Sequence, residues 1–258
     1  MNRFPLIFTH YFKRLLRNPI NILVYIVLPM GLVVLNMLAN IGMFELQGGD
    51  LAANASAVAA TATLLATVFM VAFQFFSGEL LMENIYSDFE EGPVRWRLSA
   101  SPVPQRTFLF GAAVACWTFN LVQAILIFSV LAILFDIYWG NPLVLVAVVL
   151  IVSIMSQLIG ALVSQLAPTR KTATVAINLL CFGMMFLSGF LFIPLGNSAI
   201  ATFITSYGTP LALAFRAILY AGPVLDNMGH ALFNLGLLAV ITLVLAALVF
   251  TLGRRRTS

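Results

Sequence analysis

The sequence predicts an all-α integral membrane fold: six transmembrane helices, an N-terminal amphipathic interfacial helix and two short re-entrant helices before the last span. Three observations carry this. The 258 residues are 62% hydrophobic and 9% charged, with a mean hydropathy of +1.04, where an ordinary soluble domain carries roughly 25% charged residues. A soluble fold of this size has no means of covering so much apolar surface. The charges are clustered, and the apolar runs between the clusters are long enough to cross a bilayer. When those runs are read as spans, all but one of the basic residues fall on the same side. A single membrane domain over residues 1–258 is the economical reading.

Residues 1–18 hold the interfacial helix: Phe4, Phe8, Tyr11, Phe12 and Leu15 fall on one face, and Arg3, His10, Arg14 and Arg17 on the other. Asn18 and Pro19 end it. The first span covers about 20–44, longer than the apolar core of a signal peptide, and is expected to be retained. A polar loop with Glu45, Gly48, Gly49 and Asp50 leads to a second span, 52–82. Residues 83–106 are the most charged stretch and read as a water-facing segment with one short helix. The third span covers 107–135, and a tight turn at 136–142 sets Trp139 at interface depth. The fourth span is 143–166; Pro168, Thr169, Arg170 and Lys171 make a short basic loop; the fifth span is 172–192. Residues 193–228 are apolar but interrupted by Pro194, Gly196, Gly208, Pro210, Gly222 and Pro223, so no continuous helix of about 20 residues fits. Two short helices dipping into the outer leaflet, 198–207 and 211–221, satisfy their own backbone groups there. The last span, 230–252, ends in three arginines.

Of the 13 Lys and Arg, four precede the first span, three lie between the second and third, two between the fourth and fifth, and three at the end. Arg216 alone falls on the opposite side. The positive-inside rule then puts both termini in the cytoplasm, and the short loops and small size fit a multi-pass protein of a bacterial inner membrane. Basic groups set beside apolar runs, rather than along one polar face, argue against a nucleic-acid partner; the surroundings are membrane lipid.

Several function classes are excluded. Neither Lys13 nor Lys171 follows the glycines of a phosphate loop, so the chain itself does not hydrolyse ATP. No Asp or Glu lies mid-span, as an ion-coupled carrier would require. Glu79, Glu83, Asp88, Glu90 and Glu91 form the one acidic cluster; it has neither a histidine nor the spacing that holds magnesium, and it reads as a solvated charged helix. Cys116 and Cys181 lie inside apolar runs and read as buried, and neither His10 nor His230 has ligand-type neighbours. No catalytic, metal or cofactor site is expected.

The acidic run Asp88, Phe89, Glu90, Glu91 closed by Gly92, then Val94, Arg95, Trp96, Arg97 and Leu98, then Ser101-Pro102, resembles the coupling segment of permease subunits of type-2 ATP-binding-cassette exporters, a family of antibiotic, drug, lipid and polysaccharide exporters. Pro93 stands where that family often has threonine. The run 187–194 and the later Thr209-Pro210 with Arg216 are similar to further family patterns, and the layout matches along the whole chain. The resemblance implies two nucleotide-binding ATPase subunits as partners, carrying ATP and Mg, and a second permease, either a copy or a homologue. It makes Asp88, Glu90, Glu91, Gly92, Arg95, Trp96, Arg97 and Leu98 the ATPase-subunit contact.

Two polar stripes bear on a transport path. Thr63, Thr67, Met70, Gln74 and Ser77 share one helical face of the second span; Thr174, Asn178, Cys181, Met185 and Ser188 repeat the spacing in the fifth. Such stripes either line a passage or join helices, and the resemblance, in which these two spans meet at a dimer interface, tips the reading toward lining. Gly160 and Ser164, with Ser153 and Ser156 on nearly the same face, suit close helix packing.

Overall fold

The computed structural model describes residues 3–46, 55–90, 94–135, 139–188, 198–222 and 225–256, and its regular elements are all helical. Helix α1 (Phe4–Arg17) begins with a proline in its first turn and ends at Asn18, whose extended backbone breaks the ladder while its side chain accepts from the Ile20 amide and caps the next helix. The chain bends by 72° there. It continues as α2 (Pro19–Ile22), a π-helical turn (Leu23–Val27) and α3 (Leu28–Leu46).

The second span is not one smooth rod. Helix α4 (Ala55–Phe76) stops at Ser77, α5 (Gly78–Ile85) follows, and a π-helical turn (Tyr86–Glu90) extends the same rod past the expected end at residue 82. The first three residues expected for that span, 52–54, and the loop residues Gly48, Gly49 and Asp50 lie outside the described residues. A short α6 (Val94–Ser99) then leads to α7 (Gln105–Phe135), α8 (Pro142–Leu166) and α9 (Arg170–Leu187); residues 189–192, expected to finish the fifth span, are also outside. Asn141 and Thr169 cap α8 and α9 with their side chains. The interrupted outer stretch forms α10 (Ala199–Tyr207) and α11 (Pro210–Ala221), capped by Ser198 and Thr209, before α12 (Met228–Arg256).

Five described helical segments are long and apolar enough to cross a membrane, and the bent pair of α1 and the first span makes a sixth. Helix α8 sits at the centre, against α4, α5, α7, α9, α11 and α12. Its Val148, Val152 and Met155 meet Phe75, Ile177, Leu213 and Leu238 in the main core. Gly78 and Gly160 let α5 and α8 touch backbone to backbone: a Cβ at Gly78 would overlap the Ser156 carbonyl, and one at Gly160 the Gly78 carbonyl. The packing role expected of the Ser153, Ser156, Gly160 and Ser164 face is the one observed, since all four are buried. Cys116 and Cys181 are buried as expected.

Trp139, expected at interface depth, packs edge-on against Phe128 with ring centroids 4.7 Å apart. Next to it Gly140 has φ 75°, a conformation that suits glycine, and the Asn141 amide donates to the Ala221 carbonyl at 3.0 Å. The α7–α8 turn and the C-terminal end of α11 therefore mark one end of the bundle. The opposite end gathers α1, α6, the α8–α9 turn and the end of α12, where Gly253 lies beside Gln165.

Candidate functional site

The basic end of the bundle is built on α1. Its buried residues are Ile7, Tyr11 and Leu15, packed with Ala112, Ala115, Cys116 and Phe119 of α7, while Phe8 and Phe12 stack on each other at 5.7 Å and are half-buried. Gly111 makes room for Ile7 against α7. The aromatic stripe read from the sequence thus packs against protein, and Ile7, which that stripe omitted, is central.

Arg14 is exposed, as its place on the polar face predicts, yet it is tied across to the end of the second span. Its Nη1 donates to both oxygens of Asp88, at 2.7 and 2.8 Å, and its Nη2 to Ser87 Oγ at 3.0 Å. The Asp88 side chain is 6% exposed and that of Arg14 42%, so the carboxylate is enclosed and the guanidinium half-solvated. Tyr11 closes the other side of Asp88; its burial, together with that carboxylate, pushes its hydroxyl well above the usual phenol range.

Four further ties hold the segment 79–88. Tyr25 donates to Glu79 at 3.3 Å. Arg170 donates to Glu83 at 2.8 Å in a half-exposed ion pair. Asn84 donates to Cys116 Sγ at 3.4 Å. Tyr86, fully buried, donates to the Ala167 carbonyl at 2.8 Å, satisfying a group that the end of α8 leaves without a helical partner. Of the acidic cluster, Glu79, Glu83 and Asp88 are therefore not simply solvated as the sequence suggested; the Glu90 side chain and Glu91 lie outside the described residues. Glu79, Glu83 and Asp88 each face a specific donor, because the π-helical turn and the continued rod carry them against α1, α9 and the first span.

Beyond this braced rod stands α6. Arg95, Trp96 and Arg97 are exposed, Trp96 at 75%, with the Arg95 guanidinium 5.8 Å from the Trp96 ring centroid, and Leu98 is half-buried. Glu90 closes the π-helical turn; Glu91 and Gly92 lie outside the described residues. Asp88 thus faces inward to Arg14, whereas Arg95, Trp96 and Arg97 face out. At the start of α9, Glu83, Thr169, Arg170, Lys171, Thr174 and Val175 line a shallow notch of about 530 Å³.

Midway along the bundle, the ladder tightens at Ser77 to three-residue bonds, the Ser77 amide to the Gln74 carbonyl at 3.3 Å and the Leu80 amide to the Ser77 carbonyl at 3.1 Å, and neighbouring helices add donors to the same carbonyls. Asn120 of α7 donates to the Gln74 carbonyl at 3.5 Å and to Ser156 Oγ at 3.2 Å; Gln157 of α8 donates to the Ser77 carbonyl at 3.4 Å. Ser77 Oγ lies 3.2 Å from Ser156 Oγ. Thr67 bonds back to the Thr63 carbonyl at 2.7 Å. Thr63, Thr67, Met70, Gln74 and Ser77 are at most 9% exposed, enclosed among α3, α7 and α8. In the fifth span Cys181 and Met185 belong to the main core, Ser188 bonds Thr209 of α11, Asn178 is half-buried and Thr174 opens onto the notch. The second-span stripe is thus buried within the chain, and in the fifth span Cys181, Met185 and Ser188 pack against neighbouring helices.

Sequence reasoning missed Arg14, Tyr86, Asn120 and Gln157. A usable signal existed for the last two: lone amides in otherwise apolar spans need partners. Among the described residues no three of His, Cys, Asp or Glu gather as a metal-holding set. Residues 13–251 match the model of the family described as ABC-2 family transporter protein. No curated relative and no solved structure matches the chain.

Proposed function

The chain belongs to the ABC-2 transporter family, and we propose that it is the permease of an ATP-driven exporter, working beside a second permease and two nucleotide-binding ATPase subunits, that moves a lipophilic or amphipathic, drug- or antibiotic-like compound outward. As a family permease it is a transporter component rather than the catalyst, and the family associates with ATP-binding subunits. The observation that carries the reading is the exposed Arg95-Trp96-Arg97 face of α6 at the tip of a cross-braced rod. A large exposed aromatic beside arginines is the composition of an interface anchor.

In this reading α6, with Glu90, Glu91, Gly92 and Leu98, docks on the ATPase subunit, and Asp88 serves by locking the docking segment to α1. ATP binding draws the ATPase subunits together and pushes α6. The push passes along the π-helical turn into α5, which pivots at Ser77, where the ladder is already irregular and held by Asn120 and Gln157. The stripes Thr63 to Ser77 and Thr174 to Ser188 are then the faces that part to admit the compound. Twelve of the 13 basic residues lie toward the docking side, which supports placing that side and both termini in the cytoplasm.

Co-purification from the native membrane in mild detergent, followed by an ATPase assay, tests this. Wild type is expected to bring down an ATP-hydrolysing subunit, and a folded variant with Glu91, Arg95, Trp96 and Arg97 changed to alanine to lose it. Purification of the wild type without any ATPase partner overturns the reading in favour of a scaffold or a membrane enzyme.

A further inference from the structure

At the end of the bundle opposite α6, Arg216 is a cation for which the described residues supply no counter-charge. It projects half-buried from α11, and among the described residues no carboxylate pairs with it and no acceptor takes its N–H donors. Its one contact of note is the ring of Tyr207, with Cζ 6.0 Å from the centroid. A guanidinium carries five donors, and an intramembrane arginine is costly unless something answers its charge. Arg216 precedes Ala221, whose carbonyl is tied to the α7–α8 turn, by five positions, so the side chain leaves α11 about 7–8 Å along its axis from that end of the bundle. A lipid headgroup region adds about 5–8 Å per leaflet to a 30 Å hydrocarbon core, so a phosphate group lies within reach of a long side chain this close to the end of the bundle.

The surroundings match the rest of an amphipathic molecule. Tyr207 lies 5.9 Å from Phe203 of α10 and 6.2 Å, edge-on, from Phe233 of α12. Phe203 and Phe233 are 63% and 54% exposed, and Ile200, one turn from Phe203, is 73% exposed. An apolar face running from the guanidinium along two helices offers a track for acyl chains, and Tyr207 joins the two parts.

We propose that Arg216, backed by Tyr207, holds the phosphate of a membrane phospholipid in the leaflet on the α7–α8 turn side, with its chains along Ile200, Phe203 and Phe233. The bidentate fork of arginine suits phosphate oxygens. The ligand supplies the counter-charge that the described protein does not. This site is remote from α6 and involves neither a partner subunit nor transport, so its failure leaves the exporter reading standing.

The test uses the full chain, purified and delipidated, with three probes: phosphatidylglycerol, diacylglycerol of the same chains, and inorganic phosphate. Binding is read by native mass spectrometry and by the shift in melting midpoint. Wild type is expected to retain phosphatidylglycerol and be stabilised by it, and to respond to neither other probe. Arg216→Gln is expected to lose affinity by about tenfold, the loss of a charge-assisted contact, and Arg216→Lys to recover part of it. Equal retention by Arg216→Gln, equal binding of diacylglycerol, or saturation by inorganic phosphate alone overturns the proposal. If Arg216→Gln does not fold, Tyr207→Leu decides: weaker binding of phosphatidylglycerol supports the site, and binding equal to wild type overturns it.

Discussion

Replacing Arg14 by alanine takes the guanidinium from both oxygens of a carboxylate that is 6% exposed. Two costs follow: the charge-assisted bonds are lost, and Asp88 is left inside the structure with the hydroxyl donors of Ser87 and Tyr11 as its remaining partners among the described residues. Breaking a fully buried ion pair from one side costs about 3–5 kcal/mol, and an exposed pair contributes about 0–1 kcal/mol. Arg14 is half-solvated, so the expected destabilisation lies between these, about 2 kcal/mol. The opposite change, Asp88→Asn, is expected to cost less, about 1 kcal/mol, because the freed guanidinium rehydrates whereas the stranded carboxylate does not. Arg170→Ala, which breaks the half-exposed pair with Glu83, is the internal control and is expected to cost under about 1 kcal/mol. Equilibrium unfolding of the purified chain in mixed micelles measures all three, and the double variant Arg14→Ala with Asp88→Asn gives the coupling energy. If Arg14→Ala and Arg170→Ala agree within about 0.5 kcal/mol, or if the double variant equals the sum of the singles, Asp88 is not locked as described.

Tyr86→Phe removes the bond to the Ala167 carbonyl without changing shape, and is expected to cost about 1 kcal/mol in the same unfolding assay. Gly78→Ala drives a Cβ into the Ser156 carbonyl, a backbone atom that cannot step aside, and is expected to cost about 1–3 kcal/mol and to lower the monodisperse yield on gel filtration. Trp96→Ala is expected to leave the unfolding midpoint of the isolated chain unchanged, because the ring is 75% exposed, while reducing recovery of ATPase activity with the purified permease.

Much of the fold was legible because lipid imposes simple rules. A span needs a long apolar run, a surface helix needs one apolar face, and proline and glycine interrupt both; these put the third, fourth and last spans, α1, and the α10–α11 pair close to where they stand. The irregular turn at Ser77 was not legible. It is held by Asn120 and Gln157, which are 43 and 80 residues away in the chain. The candidate site was legible only as a segment: charge density and the Ser101-Pro102 pair located it, but which of its charges face inward was not written there.

Composition, run length and the asymmetry of Lys and Arg by themselves determined that this protein is a helical membrane domain with one basic end, because the transfer of side chains between water and lipid depends on residue type and hardly on partners. Tertiary structure alone decided that Asp88 belongs to Arg14 while Trp96 remains outside, that the second-span stripe is buried, and that Arg216 has no carboxylate among the described residues. Each of these rests on which distant side chain a helix packs against, and the periodicity of one helix carries no record of its neighbours.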